Sequence, residues 1–185
     1  FEMEDEGFLV DLDTLNQLSE LFTREIEESR QAVYRLTEVP DFNLNSPKQL
    51  GEVLFDKLGL PAQKKNKNGA YSTAAEILED LAPYHPCIEP LLRYRKLSKL
   101  QSTYVDGLLN AVAADGRVHS TFIQTEARTG RISSTEPNLQ NIPVRQQIGA
   151  EIRRCFVARP GWVLIDADYS QIELRVLAHM SGDEM

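Results

Sequence analysis

Cysteine is scarce in this chain, and long apolar runs are missing from it. Cys87 and Cys155 are the only two cysteines among 185 residues, too few for a disulfide framework or a cysteine-rich zinc site. No apolar segment approaches the ~18 residues of a membrane span, and no basic segment followed by an apolar one opens the chain as a secretory signal does. We therefore expect an intracellular, reducing location and no membrane partner.

An excess of positive charge is also missing. The 20 basic side chains are outnumbered by 28 acidic ones, so the net charge is −8 and does not by itself indicate nucleic-acid binding. The acidic excess lies in residues 1–30, which hold ten acidic and two basic side chains. Bases cluster later, at 64–67, 93–99 and 128–154, so a local basic groove remains compatible with the acidic total.

The first two thirds of the chain carries the signals of helices. A period near 3.6 over 11–36 predicts an amphipathic helix. Capping boxes, in which Ser or Thr is followed three residues later by Gln or Glu, predict helix starts at Ser46 and Thr73. A longer helix is predicted from 86 to about 113.

The last third carries the signals of strands joined by a long loop. Residues 118–125 and 152–158 are predicted strands, and 126–151 form an irregular segment of the kind that is usually functional or disordered. The continuous apolar run 162–165 is typical of a strand buried on both faces. A third capping box, at Ser170, predicts a helix to about residue 180. The predicted fold class is therefore α+β.

Asp168 is the residue that most strongly suggests chemistry. It follows the predicted buried strand and precedes the predicted capped helix, which places a carboxylate at a sheet edge, where it suits Mg²⁺. Asp166 shares its strand face, so one or both could bind metal. The spacing alone leaves open that Asp168 caps the helix or that both carboxylates are solvated.

The other polar candidates have two readings each. Asn138, Gln140 and Asn141 suit groove acceptors in a nucleic acid, or they satisfy backbone groups of their own loop. Glu173 could belong only to the capping box. Four arginines surround the loop and could equally be ordinary surface charge: Arg131, Arg145, Arg153 and Arg154. Three histidines have no spacing that indicates metal ligation and are predicted to be structural: His85, His119 and His179.

Three ordered blocks of this sequence resemble family A DNA polymerases of the bacterial polymerase I type. They are 129–134, 137–145 and Asp168-Tyr169-Ser170-Gln171-Ile172-Glu173-Leu174-Arg175, and the last resembles the family's motif A. The resemblance spans essentially the whole chain. It implies a DNA-directed DNA polymerase with a helical lead-in (1–42), a helical thumb (43–116) and a partial palm with antiparallel strands and a helix, which ends after motif A (117–185).

The resemblance implies that the thumb grips the minor-groove side of primer–template duplex DNA. Helix N-termini and lysines at a loop tip would attract phosphates without sequence preference. The thumb contacts predicted in this way are Asn45, Ser46, Lys64, Lys65, Lys67, Ser72, Thr73, Arg95 and Lys99.

The resemblance places the chemistry in the palm. Asp168 resembles the first of two catalytic aspartates that hold two Mg²⁺ ions, with the carbonyl of Tyr169 as a further ligand. Glu173 resembles the side chain that excludes ribonucleotides at the 2′ position. The residues that the resemblance assigns to nucleotide binding are Tyr169, Gln171, Ile172, Glu173 and Arg145, the last of them near the triphosphate of the incoming deoxynucleotide. Arg131 resembles the arginine that reads the primer-terminal base pair, and the further duplex contacts are Asn138, Gln140 and Asn141.

The chain stops soon after motif A, so we expect it to be inactive alone. The family's fingers helix and second catalytic aspartate are not found before Met185, and we expect no nuclease before Phe1. The alternative function is a non-catalytic module that holds duplex DNA. We expect a cytoplasmic, nucleoid-associated bacterial protein without an obligate protein partner, and apolar surface exposed in the αβ half, because the strand 162–165 lacks its neighbours.

Overall fold

A computed structural model of the chain describes residues 2–62, 71–143 and 147–182. The fold is α+β, as predicted, with two small antiparallel sheets among the described residues. The helices are α1 (Glu2–Glu6), α2 (Leu12–Thr37), α3 (Pro47–Gly51), α4 (Ala75–Leu81), α5 (Ile88–Leu100), α6 (Asp106–Ala111), α7 (Gln147–Arg154) and α8 (Ile172–Ser181). The strands are β1 (Phe8–Leu9), β2 (Arg117–Val118), β3 (Thr121–Ile123) and β4 (Ser133–Thr135).

Two long helices form the frame of the fold. The helix predicted over 11–36 is α2, and the carboxylate of Asp11 caps it by accepting from the backbone N–H groups of Asp13 and Thr14 at 3.1 Å. The predicted second long helix is also present, because a π-helical segment (Gln101–Val105) joins α5 to α6 without a break. A further π-helical segment (Glu52–Lys57) continues α3. Within the described part of the chain, no helix is long and apolar enough to cross a membrane.

The two hydrophobic cores follow these long helices. The first core joins the end of α2 to α3, α4 and the start of α5, and includes Leu50, Leu54 and Leu91, none of which is exposed. The second core joins the start of α2 to α6, β2 and α7. Ile26 packs against both. The second core thus takes side chains from all three predicted segments, 1–42, 43–116 and 117–185, and holds the two halves of the chain together.

The predicted capping boxes are only partly present. Ser46 caps α3, since its hydroxyl accepts from the backbone N–H of Gln49 at 3.4 Å, but the Gln49 side chain accepts from the backbone N–H of Asn43 at 2.7 Å instead of returning to Ser46. The box at Thr73 is wrong, because α4 begins after Ala74 and Thr73 is buried.

The Ser170 box is wrong as well. Gln171, with φ 54°, is the residue that precedes α8, and no side chain caps this helix. A capping residue needs an extended backbone next to the first helical residue, and neither Thr73 nor Ser170 occupies that position. The helices themselves still form where they were predicted, through Leu81 and to Ser181.

The strand predicted at 152–158 is wrong. Residues 147–154 form α7, whose buried face includes Gly149, Ile152 and the following Cys155 at helical spacing. Gly149 is needed because a Cβ there would meet the backbone carbonyl of Pro143. Within the predicted strand, Phe156 alone has β-type pairing, an isolated antiparallel bridge to Val10.

The strand predicted at 118–125 is divided between the two sheets. Val118 pairs with Phe8 in the first sheet, and Phe122 pairs with Ser134 in the second. The chain turns between them at the buried Ser120, whose hydroxyl donates to the carbonyl of Pro137 at 2.7 Å and to that of Thr135 at 3.2 Å. A side chain that bonds the backbone in this way competes with a continuous strand.

The buried strand predicted at 162–165 is wrong, whereas the predicted exposure of apolar surface is confirmed. Trp162 is 62% exposed and Ile165 is 86% exposed, and residues 162–165 form no strand. A strand needs neighbours for its backbone and both faces, and no described segment pairs with this one. The apolar side chains of α8, such as Leu177 and Met180, are exposed too.

His119 ties the N-terminal helix to the turn before β2. Its Nδ1 lies 2.7 Å from the carbonyl oxygen of Glu4, and its Nε2 lies 3.0 Å from a carboxylate oxygen of Asp115. Both partners are acceptors, so only the doubly protonated ring donates to both. Arg117 donates to the carbonyl of Glu6 at 2.9 Å in the same corner, so two cationic side chains meet the C-terminal carbonyls of α1.

We expect this contact to make stability depend on pH. The hydrogen bond to the Glu4 carbonyl, and then the Asp115 carboxylate, raise the pKa of His119, while partial desolvation and then Arg117 oppose them. A raised pKa means that the stabilisation is complete below the ordinary value near 6.5 and is lost as pH rises through the folded-state pKa. Melting temperature should therefore fall between pH 6 and pH 8, and His119→Gln should flatten that profile. His179→Gln, on an exposed histidine, is the control; an unchanged slope in His119→Gln would contradict the expectation.

Candidate functional site

The segment before α8 presents two carboxylates to solvent. Asp166 and Asp168 are exposed and have no hydrogen-bond or ion-pair partner among the described residues. The predicted sheet edge that would hold Asp168 is not formed, since 162–165 is not a strand. The described part of the chain contains no group of three or more acidic, His or Cys side chains that could hold a metal ion. One or two carboxylates, with waters and substrate phosphates, are nevertheless the donor set that Mg²⁺ prefers, so Asp168 and the Tyr169 carbonyl fit that ion.

The structure brings two of the three sequence blocks together at Arg131 and Glu173. A guanidinium nitrogen of Arg131, just before β4, lies 3.7 Å from a carboxylate oxygen of Glu173 in the first turn of α8. Both side chains are mostly exposed, so the pair contributes little to stability. Sequence reasoning missed this pair because no fixed spacing joins the two blocks.

The predicted nucleotide-pocket residues lie in one exposed stretch. Tyr169 is 79% exposed and Ile172 is 41% exposed. Gln171 has φ 54°, in the left-handed region that non-glycine residues rarely adopt. Arg145 lies outside the described residues. The nucleotide-binding roles of all four stay predictions.

The amide side chains of the 138–141 turn bond the protein itself. The Oδ1 of Asn138 accepts from the backbone N–H of Gln140 at 3.1 Å and caps a short 3₁₀ turn (Leu139–Asn141). Both the oxygen and the nitrogen of the Gln140 side-chain amide form hydrogen bonds with backbone groups at the start of β4. Asn141 contributes its carbonyl, which accepts from the hydroxyl of Tyr104 at 2.5 Å. For Asn138 and Gln140, the structure therefore favours the loop-bonding alternative over a direct contact with DNA.

The predicted thumb contacts divide into engaged and exposed side chains. Arg95 donates one guanidinium nitrogen to the backbone carbonyl of Thr73 and another to its hydroxyl at 3.2 Å, which joins α5 to the start of α4. Asn45 donates its side-chain amide to the hydroxyl of Tyr94 at 3.1 Å. Ser72 and Lys99 are exposed. Lys64, Lys65 and Lys67 lie outside the described residues.

Both cysteines are buried and free. Burial raises the pKa of Cys87 and that of Cys155 to about 11. These thiols stay protonated at neutral pH and are therefore poor nucleophiles and poor metal ligands.

Comparison with known proteins identifies similar sequences over nearly the whole chain. The sequence profile of DNA polymerase family A matches residues 12–185. DNA polymerase I of Geobacillus stearothermophilus is 52% identical over 184 residues, which are 98% of this chain and 21% of that protein. The thermostable DNA polymerase I of Thermus aquaticus is 53% identical over 98% of this chain and 22% of that protein. The chain thus spans about a fifth of the length of these relatives.

A solved structure is similar to the chain as well. It is the POL domain of Pol1 from M. smegmatis in complex with DNA primer-template and dNTP. The TM-score is 0.83 and the sequence identity is 49%, over 98% of this chain and 32% of that one.

Proposed function

This chain belongs to DNA polymerase family A, and we propose that it is the part of a DNA-directed DNA polymerase that holds primer–template duplex and supplies the first catalytic aspartate. The observation that carries the proposal is the similarity, at 49% identity and TM-score 0.83, to a polymerase domain whose complex contains DNA primer-template and dNTP. We propose residues 1–42 as the lead-in, 43–116 as the thumb and 117–185 as the first part of the palm. Its bacterial relatives favour a cytoplasmic, nucleoid-associated protein.

Asp168 is proposed as the metal-holding carboxylate. Its exposure leaves both oxygens available, and the backbone carbonyl of the exposed Tyr169 follows directly. When bound, two Mg²⁺ ions would activate the primer 3′-hydroxyl as a nucleophile and stabilise the negative charge of the leaving pyrophosphate. The side chain of Asp168 would fix the position of the metal ions. The substrates of the reaction would be the deoxynucleoside triphosphate and the primer 3′-hydroxyl.

Glu173 and Arg131 are proposed to act at neighbouring positions of the substrate, the sugar of the incoming nucleotide and the primer-terminal base pair. Glu173 would fill the space beside the 2′ position and reject a ribonucleotide by steric contact. Arg131 would donate to the acceptors that every base pair offers in the minor groove. Their contact at 3.7 Å in this structure supports the proposal, since it brings the two side chains to one place.

We expect the chain alone to bind primer–template DNA without sequence preference and with a strong dependence on salt. If about four phosphates are neutralised, the affinity should fall roughly 100-fold between 50 and 200 mM KCl. Fluorescence anisotropy with a labelled primer–template measures this at each salt concentration. Lys99→Ala should weaken binding and reduce the salt slope, whereas Arg30→Ala, on an arginine paired with Glu27 on α2, should change neither.

Absence of binding at 50 mM KCl would contradict the proposal. We also expect no templated extension of the primer by the chain alone, and extension that depends on Mg²⁺ would overturn that part. The alternative function, a DNA-holding module without a role in catalysis, makes the same binding prediction. The two functions are distinguished by substituting Asp168 in an active polymerase.

A further inference from the structure

Gln140 uses both ends of its side-chain amide within the protein. Its Oε1 accepts from the backbone N–H of Ser134 at 3.0 Å, and its Nε2 donates to the backbone carbonyl of Ile132 at 2.8 Å. These two backbone groups lie two residues apart and therefore on the same edge of the chain entering β4. Gln140 thus occupies the edge of β4 that does not face β3, where a further strand would otherwise pair.

The neighbouring residues reinforce this contact. Asn138 accepts from the backbone N–H of Gln140 at 3.1 Å and from the hydroxyl of Ser134 at 3.4 Å. Ser134 is only 3% exposed. Several hydrogen bonds therefore join the turn at 138–140 to the segment 132–134. The two that involve backbone groups of that segment are both made by Gln140.

Arg131 immediately precedes the segment that Gln140 holds. The side chain of Arg131 is 81% exposed, and its ion pair with Glu173 is long, at 3.7 Å. A contact of this kind does not fix a flexible side chain. The position of the Arg131 side chain consequently depends on its own backbone. Gln140 holds that backbone through its hydrogen bond to the carbonyl of the next residue, Ile132.

We propose that Gln140 is a positioning residue that sets where Arg131 meets the primer–template duplex. The proposal replaces the direct DNA contact predicted from sequence, and it rests on the proposed function of Arg131. It agrees with the chemistry of the amide, since a side chain that has used its oxygen and one donor on the protein has little left to offer a base edge.

A double-mutant cycle tests the proposal. Primer–template affinity of the full chain is measured by anisotropy for wild type, Gln140→Ala, Arg131→Ala and the double variant. We expect each single variant to bind about 5-fold more weakly, and the double variant to bind no more weakly than Arg131→Ala, because two residues that act through one contact are not additive. A double variant weakened by the product of the two single effects would show that Gln140 contacts DNA itself, which overturns the proposal.

Amide hydrogen exchange gives a second readout that needs no DNA. The N–H of Ser134 should be protected in wild type and in Arg131→Ala, and should exchange faster in Gln140→Ala. Gln124→Ala, on an exposed glutamine after β3, is the control and should change neither exchange nor affinity. If Ser134 exchanges equally fast in wild type and Gln140→Ala, the positioning role is overturned. If no variant binds DNA, the proposed function fails while the exchange result still decides the role of Gln140.

Discussion

Asp168→Asn is expected to lower the rate of DNA synthesis by roughly three orders of magnitude in a polymerase that contains this chain. The loss follows from removing one negative charge that holds the metal ions, an effect worth several kcal/mol in the transition state. A suitable enzyme is the Geobacillus stearothermophilus DNA polymerase I with its matching segment replaced by this chain, which is 52% identical over 184 residues. Primer extension under single-turnover conditions measures the rate.

Asp166→Asn is the matched control for this experiment. Asp166 lies two residues before Asp168 and is also exposed, so the variant removes the same charge from a nearby position. We expect Asp166→Asn to retain most of the activity. Normal synthesis by Asp168→Asn would refute the catalytic role, and a replaced polymerase that binds primer–template without extending it would favour the DNA-holding module.

Leu91→Ala is expected to reduce the free energy of unfolding by about 3 kcal/mol and the melting temperature by about 10 °C. Leu91 lies on α5 in the first core and is not exposed. Its truncation would leave a cavity between α5 and the elements packed on it, because surrounding side chains close such a space only partly. Thermal and urea unfolding followed by circular dichroism measure the change.

Leu36→Ala provides the comparison. Leu36 is a leucine of the other long helix, but its side chain lies at the surface, 39% exposed. We expect its truncation to cost less than about 1 kcal/mol. Equal costs for Leu91→Ala and Leu36→Ala would mean that the first core does not pack as described.

The elements that could be predicted are those defined by neighbours along the chain. The helix α2 depends on a 3.6-residue apolar period and the Asp11 cap, and α3 depends on Ser46 and Pro47. These signals act within one or two turns, so the sequence states them directly. The block that resembles motif A, with Asp168 in it, was likewise identifiable from the sequence, because it consists of consecutive residues.

The elements that could not be predicted depend on partners far along the chain. Residues 152–154 became the end of α7 because Ile152 and Cys155 fill the second core, and 162–165 formed no strand because no described segment pairs with it. The intrinsic strand propensity of a short apolar segment is too weak to determine its conformation against tertiary contacts.

The sequence by itself determined the helical frame, the fold class and the identity of the side chains that suggest polymerase chemistry. Only the tertiary structure decided that Gln140 bonds the chain beside Arg131, that Arg95 bonds Thr73, and that Arg131 meets Glu173. The reason is that local signals specify the conformation of a segment, whereas the hydrogen-bond partner of a polar side chain depends on which distant segment folding brings within about 3 Å of it.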